Sequence, residues 1–139
     1  MAQLVREIMT SNPVALPPDT PVREAARAMR EQDIGDVLVV DGGELRGIVT
    51  DRDIVVRGVA DWDDLSTCSL GDVCSDQVIS VTPDEDAEAA IARMRAAAVR
   101  RIPVVENGRP VGVLSIGDAA VARDPSSALA DISAEEGNT

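Results

Sequence analysis

Two short strings in this sequence place a carboxylate three residues after a hydroxyl. Thr50-Asp51-Arg52-Asp53 follows Gly47-Ile48-Val49, and Ser115-Ile116-Gly117-Asp118 follows Gly112-Val113-Leu114. Where a strand runs into a helix, such a pair forms a capping box. The hydroxyl accepts from the N–H three residues on, and the carboxylate reaches back to the hydroxyl residue's own N–H. Here Asp stands in place of the usual Glu or Gln. Arg100-Arg101 is the only adjacent pair of arginines, and by charge alone it reads as a solvated pair near Glu106. Cys68 and Cys74 are the only cysteines. Their spacing matches no metal or redox signature; two reduced thiols or a local disulfide fit it.

What is missing excludes most catalytic machinery. There is no His, Tyr or Phe, and all 13 residues of the Lys+Arg total are arginine, so lysine is absent too. Serine and cysteine triads, histidine metal sites, Schiff-base lysines and lysine phosphate loops cannot be built. No spacing singles out a pair of carboxylates for acid–base work. Neither an enzyme nor a metal site is expected. The formal charge of −12 makes nucleic acid a poor partner, because affinity for it comes from basic residues neutralising phosphates. Trp62 is the lone aromatic, too little for a base-stacking platform. The N-terminus has no apolar signal segment and no run is long enough to span a bilayer. A soluble, cytoplasmic protein with no membrane partner is expected.

The two strings belong to a larger repetition. Val5–Ile54 aligns onto Leu70–Ala119 without a gap, pairing Pro18 with Pro83, Ala25 with Ala90, Met29 with Met94, Gly47 with Gly112 and Asp53 with Asp118. Apolar positions pair as well: Val14 with Ile79, Ile34 with Val99, Val37 with Ile102. Two copies of one small unit account for this.

Each copy reads β-α-β-β-α, so the fold class is mixed α+β. A short apolar strand, Val14–Leu16 or Ile79–Val81, comes first. A helix follows, with Val22, Ala25, Ala26 and Met29, or Ala87, Ala90, Ile91 and Met94, on one face. In the first copy Thr20 is expected to cap it and Pro21 to take its first position. Two strands then meet at Asp41-Gly42-Gly43-Glu44 or Glu106-Asn107-Gly108-Arg109; Asn-Gly is a strong hairpin signal. A second helix is expected over about Asp51–Arg57 and Ile116–Arg123. The expected division is a first repeat over 1–58, a linker over 59–69 with Trp62 on a rim, a second repeat over 70–123 and an acidic tail over 124–139. Within that tail, Ser126–Ser133 is expected to form a short helix and Glu135–Thr139 to fray.

The chain resembles the tandem CBS-domain pair, or Bateman module, of the stand-alone bacterial type, over roughly Val5–Arg123. The opening segments Val5-Arg6-Glu7-Ile8-Met9-Thr10 and Leu70-Gly71-Asp72-Val73-Cys74-Ser75 carry the likeness, as do the helix-plus-hairpin order and the two glycine-to-aspartate strings. The resemblance implies a pseudo-twofold pair that binds an adenosine nucleotide such as AMP, ADP or ATP in the cleft between the repeats. It is a regulatory ligand rather than a cofactor. The local chemistry suits that role. A carboxylate accepts from both ribose hydroxyls, and a Thr or Ser at a helix start donates to phosphate beside backbone N–H groups. One site would comprise Val14, Ile34, Thr50 and Asp53, with Arg100 and Arg101 reaching the phosphates. The other would comprise Ile79, Val99, Ser115 and Asp118. It would receive Gly35 and Asp36 and therefore bind less well. The resemblance also implies a homodimer, parallel or antiparallel, through Ile54, Val55, Ala119 and Ala120, acting on an unknown protein partner. The other reading is a ligand-free structural or interaction dimer in which the strings only cap helices.

Overall fold

The computed structural model of the chain describes residues 3–75 and 79–123, together with Ile132 and Ala134. The chain forms two compact units, Val14–Val78 and Met1–Pro13 with Ile79–Thr139. The leading segment of each sequence repeat thus lies in the unit of the other. The architecture is mixed α and β, as the periodicity predicts.

In the Val14–Val78 unit, β2 (Ala15–Leu16) runs parallel to β3 (Asp36–Asp41), which pairs antiparallel with β4 (Glu44–Thr50). Helix α2 (Val22–Gln32) presents Val22, Ala25 and Met29 to a core completed by Val37 and Val39 of β3, Val49 of β4, and Ile54, Cys68, Leu70, Val73 and Cys74. The alternation Val37, Val39 is the period-2 face of a strand. Leu65 and Trp62, within the stretch expected as linker, pack at the rim of this core.

The beginning of α2 differs from expectation. Pro21 is the N-cap rather than the first helical residue, and no side chain caps it. Thr20 is buried instead, and its carbonyl accepts from Leu70 N at 2.9 Å. The N–H of Val22 donates to Cys68 O at 3.0 Å, so the returning chain satisfies an orphan donor that a cap would otherwise take.

In the other unit, β1 (Thr10–Ser11) pairs antiparallel with β6 (Arg109–Ser115), which pairs with β5 (Arg101–Glu106). Its core comprises Val5 from α1 (Val5–Ile8), Ala90 and Met94 from α5 (Ala87–Ala97), Ile102, Val104, Leu114 and Val81. The strand expected over Ile79–Val81 is reduced to one parallel bridge, Val81 with Val104. Asp86 caps α5 by accepting from Ala89 N at 3.1 Å.

Both hairpins turn through left-handed residues, Gly42 (φ 63°) with Gly43 (φ 85°), and Asn107 (φ 55°) with Gly108 (φ 81°). Two successive positive φ values match the right-handed twist of the flanking strands. α2 and α5 end alike, in left-handed Asp33 and Ala98.

The second helices diverge. After β4 a single α-turn, α3 (Asp51–Asp53), passes into a π-helix over Ile54–Val59, whereas α6 (Ile116–Arg123) is α-helical throughout. α4 (Leu70–Val73) opens the segment after the linker, with Ser69 and Asp72 forming a capping box. Two residues assigned to a dimer face do not present themselves. Ile54 and Ala119 are buried at 8% and 7% exposure, Ile54 within the core of its own unit, while Val55 stands 59% exposed. The helix expected over 126–133 lies, except for Ile132, outside the described residues, as does the fraying expected of 135–139. Among the described residues no helix is long and apolar enough to cross a membrane.

Candidate ligand site at the strand–helix junctions

Both hydroxyl–carboxylate strings are capping boxes. Thr50 Oγ1 accepts from Asp53 N at 3.1 Å, and Asp53 Oδ2 accepts from Thr50 N at 2.9 Å. Ser115 Oγ accepts from Asp118 N and Asp118 Oδ2 from Ser115 N, both at 3.0 Å. Thr50 stays extended (φ −101°, ψ 165°) while Asp51 begins the turn, which is the geometry a capping box requires.

The boxes differ in what remains open. Thr10 Oγ1 donates to the Asp118 carboxylate, 3.2 Å from Oδ1 and 3.3 Å from Oδ2. Oδ1 of Asp53 receives no hydrogen bond among the described residues. The Asp53 carboxylate therefore keeps one oxygen for a ligand, and the Thr50 hydroxyl keeps its proton to donate. Sequence reasoning missed Thr10. Its signal was present, since Thr10 and Ser75 put a hydroxyl at the same place in both leading segments.

The Val14–Val78 unit collects four of the expected residues at one end of its sheet. Val14 O accepts from Leu38 N at 2.8 Å, and Asp36 is the register partner of Thr50. Gly35 O accepts from Asp51 N at 3.0 Å, which ties Ile34 to the start of the turn. Val14 and Ile34 are half-buried against the core, at the end of the sheet that carries the Thr50–Asp53 box.

The other unit repeats the arrangement with different charge. Arg101 is the register partner of Ser115, and Ile116 N donates to Arg100 O at 2.9 Å. Val99 is half-buried against the core, but Ile79 is exposed and outside it. Within its own unit, the arginine pair thus lies next to Ser115; Gly35 and Asp36 lie next to Thr50.

Each glycine of the strings sits under the leading segment of the opposite repeat. A Cβ on Gly112 would stand 2.6 Å from Met9 Sδ and 2.8 Å from Thr10 O, and one on Gly47 2.9 Å from Ser75 O. Neither approach leaves room for a side chain, which is why the strings begin with glycine.

Cys68 and Cys74 are buried and reduced. Burial, with the Asp72 charge adding to it, pushes the Cys68 thiol up. Among the described residues no three acidic or thiol side chains gather to hold a metal ion.

Two units, each a small sheet with helices and each ending its hairpin in the same capping box, define a duplicated module rather than two unrelated domains. The sequence profile of the CBS domain matches residues 5–59 and 70–124. The chain belongs to the CBS domain family and is a tandem CBS pair. It is 34% identical over 117 residues to the CBS domain-containing protein YhcV of Bacillus subtilis, covering 84% of this chain and 83% of that protein. It is 33% identical over 116 residues to hypoxic response protein 1 of Mycobacterium tuberculosis, covering 83% and 81%. A crystal structure of hypoxic response protein I with two coordinated zinc ions superposes with a TM-score of 0.76 at 31% identity, covering 86% of this chain and 98% of that one. A CBS pair in complex with 5'-methylthioadenosine and S-adenosyl-L-methionine shares the fold, with a TM-score of 0.81 at 23% identity over 91% of this chain and all of that one.

Proposed function

We propose that this CBS pair is a non-enzymatic regulatory module that binds an adenosine nucleotide. The Asp53 carboxylate takes the ribose hydroxyls and Thr50 the phosphate, and Val14 and Ile34 hold the adenine. The observation that carries the reading is the unclaimed Oδ1 of Asp53 at the same end of the sheet as the half-buried Val14 and Ile34. The same fold holds adenosine-containing ligands in the pair solved with methylthioadenosine and S-adenosylmethionine. The Ser115–Asp118 site, with Val99 and Ile79, binds less well, because Thr10 already takes the Asp118 carboxylate. Two chains associate through exposed apolar residues that include Val55, Val56 and Val59 of the π-helix, and the output passes to a partner protein.

A second reading, a ligand-free interaction dimer, is favoured by the reciprocal satisfaction within each box, which needs no ligand to be stable. Calorimetric titration with AMP, ADP, ATP, NAD and S-adenosylmethionine separates the two. One site per chain, lost in Asp53→Ala, supports nucleotide sensing. Silence with all five ligands supports the interaction dimer.

A further inference from the structure

The Val14–Val78 unit carries an arrangement that the capping boxes do not use. Arg23, Arg27 and Arg30 stand at i, i+4 and i+7 on α2 and share one helix face. They line a groove of about 510 Å³ whose apolar wall includes Val22, Ile54 and Leu65. Among the described residues none of the three makes an ion pair or a side-chain hydrogen bond. Glu24 and Glu31 of the same helix do not pair with them. Asp64 feels the charge of Arg23, but its Oδ1 is already engaged by Ser66 N at 2.9 Å and Ser66 Oγ at 2.7 Å.

Like charges at these spacings destabilise a helix. In a chain of net charge −12 acids are abundant, yet beyond the through-space attraction of Asp64 for Arg23 no acid among the described residues forms an ion pair with the three. Three cations without an ion-pair partner, lining a concave, partly apolar space, are the complement of an anion with an apolar body. The planar fork of Arg matches phosphate bidentately. Arg23 and Arg30 are separated by about 10 Å along the helix axis, enough for one or two phosphoryl groups. The volume falls within the roughly 300–1,000 Å³ of small-molecule sites, and favours a compact ligand over a peptide.

We propose that this groove is a second anion site, separate from Thr50 and Asp53, that takes a phosphate-bearing small molecule with an apolar body. The arginines hold the phosphate, and Val22, Ile54 and Leu65 receive the apolar part. The site shares no lining residue with the junction formed by Val14, Ile34, Thr50 and Asp53, so it stands whether or not that junction binds nucleotide.

The test titrates 1-naphthyl phosphate, inorganic phosphate and a hexaglutamate peptide into the full chain, read by calorimetry and by backbone amide shifts. The proposal expects saturable binding of 1-naphthyl phosphate, weaker binding of inorganic phosphate, and shifts along α2. The double variant Arg27→Gln/Arg30→Gln, with fold checked by circular dichroism, should lose affinity roughly tenfold or more, while Asp53→Ala should not change it. Loss of the probe in Asp53→Ala would assign it to the nucleotide junction and overturn the proposal. Tighter binding of hexaglutamate than of the probe would make the face a peptide surface, also against the proposal. An unchanged titration in the arginine variant, with altered sedimentation, would show that a second copy covers the groove.

Discussion

The hydroxyl of Thr10 lies 3.2 Å and 3.3 Å from the two carboxylate oxygens of Asp118, joining residues 108 positions apart. It fastens the leading segment to the capping box it crosses. Hydrogen bonds to charged groups contribute about 1.5–3 kcal/mol when sheltered and less when exposed. Thr10 is exposed, so Thr10→Val should lower the unfolding free energy by about 1 kcal/mol, read from urea midpoints at unchanged slope. The same change releases an Asp118 oxygen and should raise nucleotide affinity at the Ser115–Asp118 site. No gain in a second titration step would remove Thr10 as the cause of that site's weakness.

The two proposed nucleotide sites should respond unequally to substitution. Charge-assisted hydrogen bonds are about twice as strong as neutral ones. Asp53→Ala is therefore expected to weaken the tighter site by roughly tenfold, and Ser115→Ala to leave it nearly unchanged. The reverse order in calorimetry would place the tighter site at Ser115 and Asp118.

Gly112→Ala and Gly47→Ala should each destabilise by about 1–3 kcal/mol, because a Cβ would meet the backbone carbonyl of Thr10 or of Ser75. Gly42→Ala adds its Cβ in open space at φ +63° and should cost only the left-handed penalty of about 1 kcal/mol. Ala98 already bears that penalty at φ 55°, so Ala98→Gly should stabilise by a few tenths to about 1 kcal/mol. Thermal melts of the four variants rank them.

Burial raises the pKa of Cys68, with the Asp72 charge adding to it. The folded state then holds this proton more tightly than the unfolded state. Its contribution is fully present below the unfolded thiol pKa and declines as pH rises from there through the higher folded value. Stability should fall on the alkaline side, above about pH 8.5, and Cys68→Ala should flatten that part of the curve. Alkylation of Cys68 in the native protein should be far slower than in urea; equal rates would contradict its burial.

Val55 and Val59 are 59% and 54% exposed on the π-helix. If they are dimer contacts, Val55→Asp with Val59→Glu should convert the wild-type dimer to a monomer in sedimentation at micromolar concentration. A wild-type monomer would end the dimer proposal.

Much of the molecule was legible locally. Val22, Ala25 and Met29 recur at helix spacing, Asn107-Gly108 demands a left-handed turn, and Thr50 with Asp53 spells a capping box within four residues. Each signal acts between near neighbours, so composition and spacing determine it, and the repetition of each in the second copy fixed the element order. What lies between distant residues was decided by tertiary packing. The two-residue strand Thr10–Ser11 has no local signature for its partner; it pairs with Val113 and Gly112 because the glycine leaves room for a crossing backbone. Val22 N found Cys68 O rather than a Thr20 cap, and Ile54 turned into the core rather than outward, since burial depends on the whole surface a residue can cover. The leading segments joined the opposite units for the same reason: sequence order sets which residues are available, and only closure of the cores selects which of them meet.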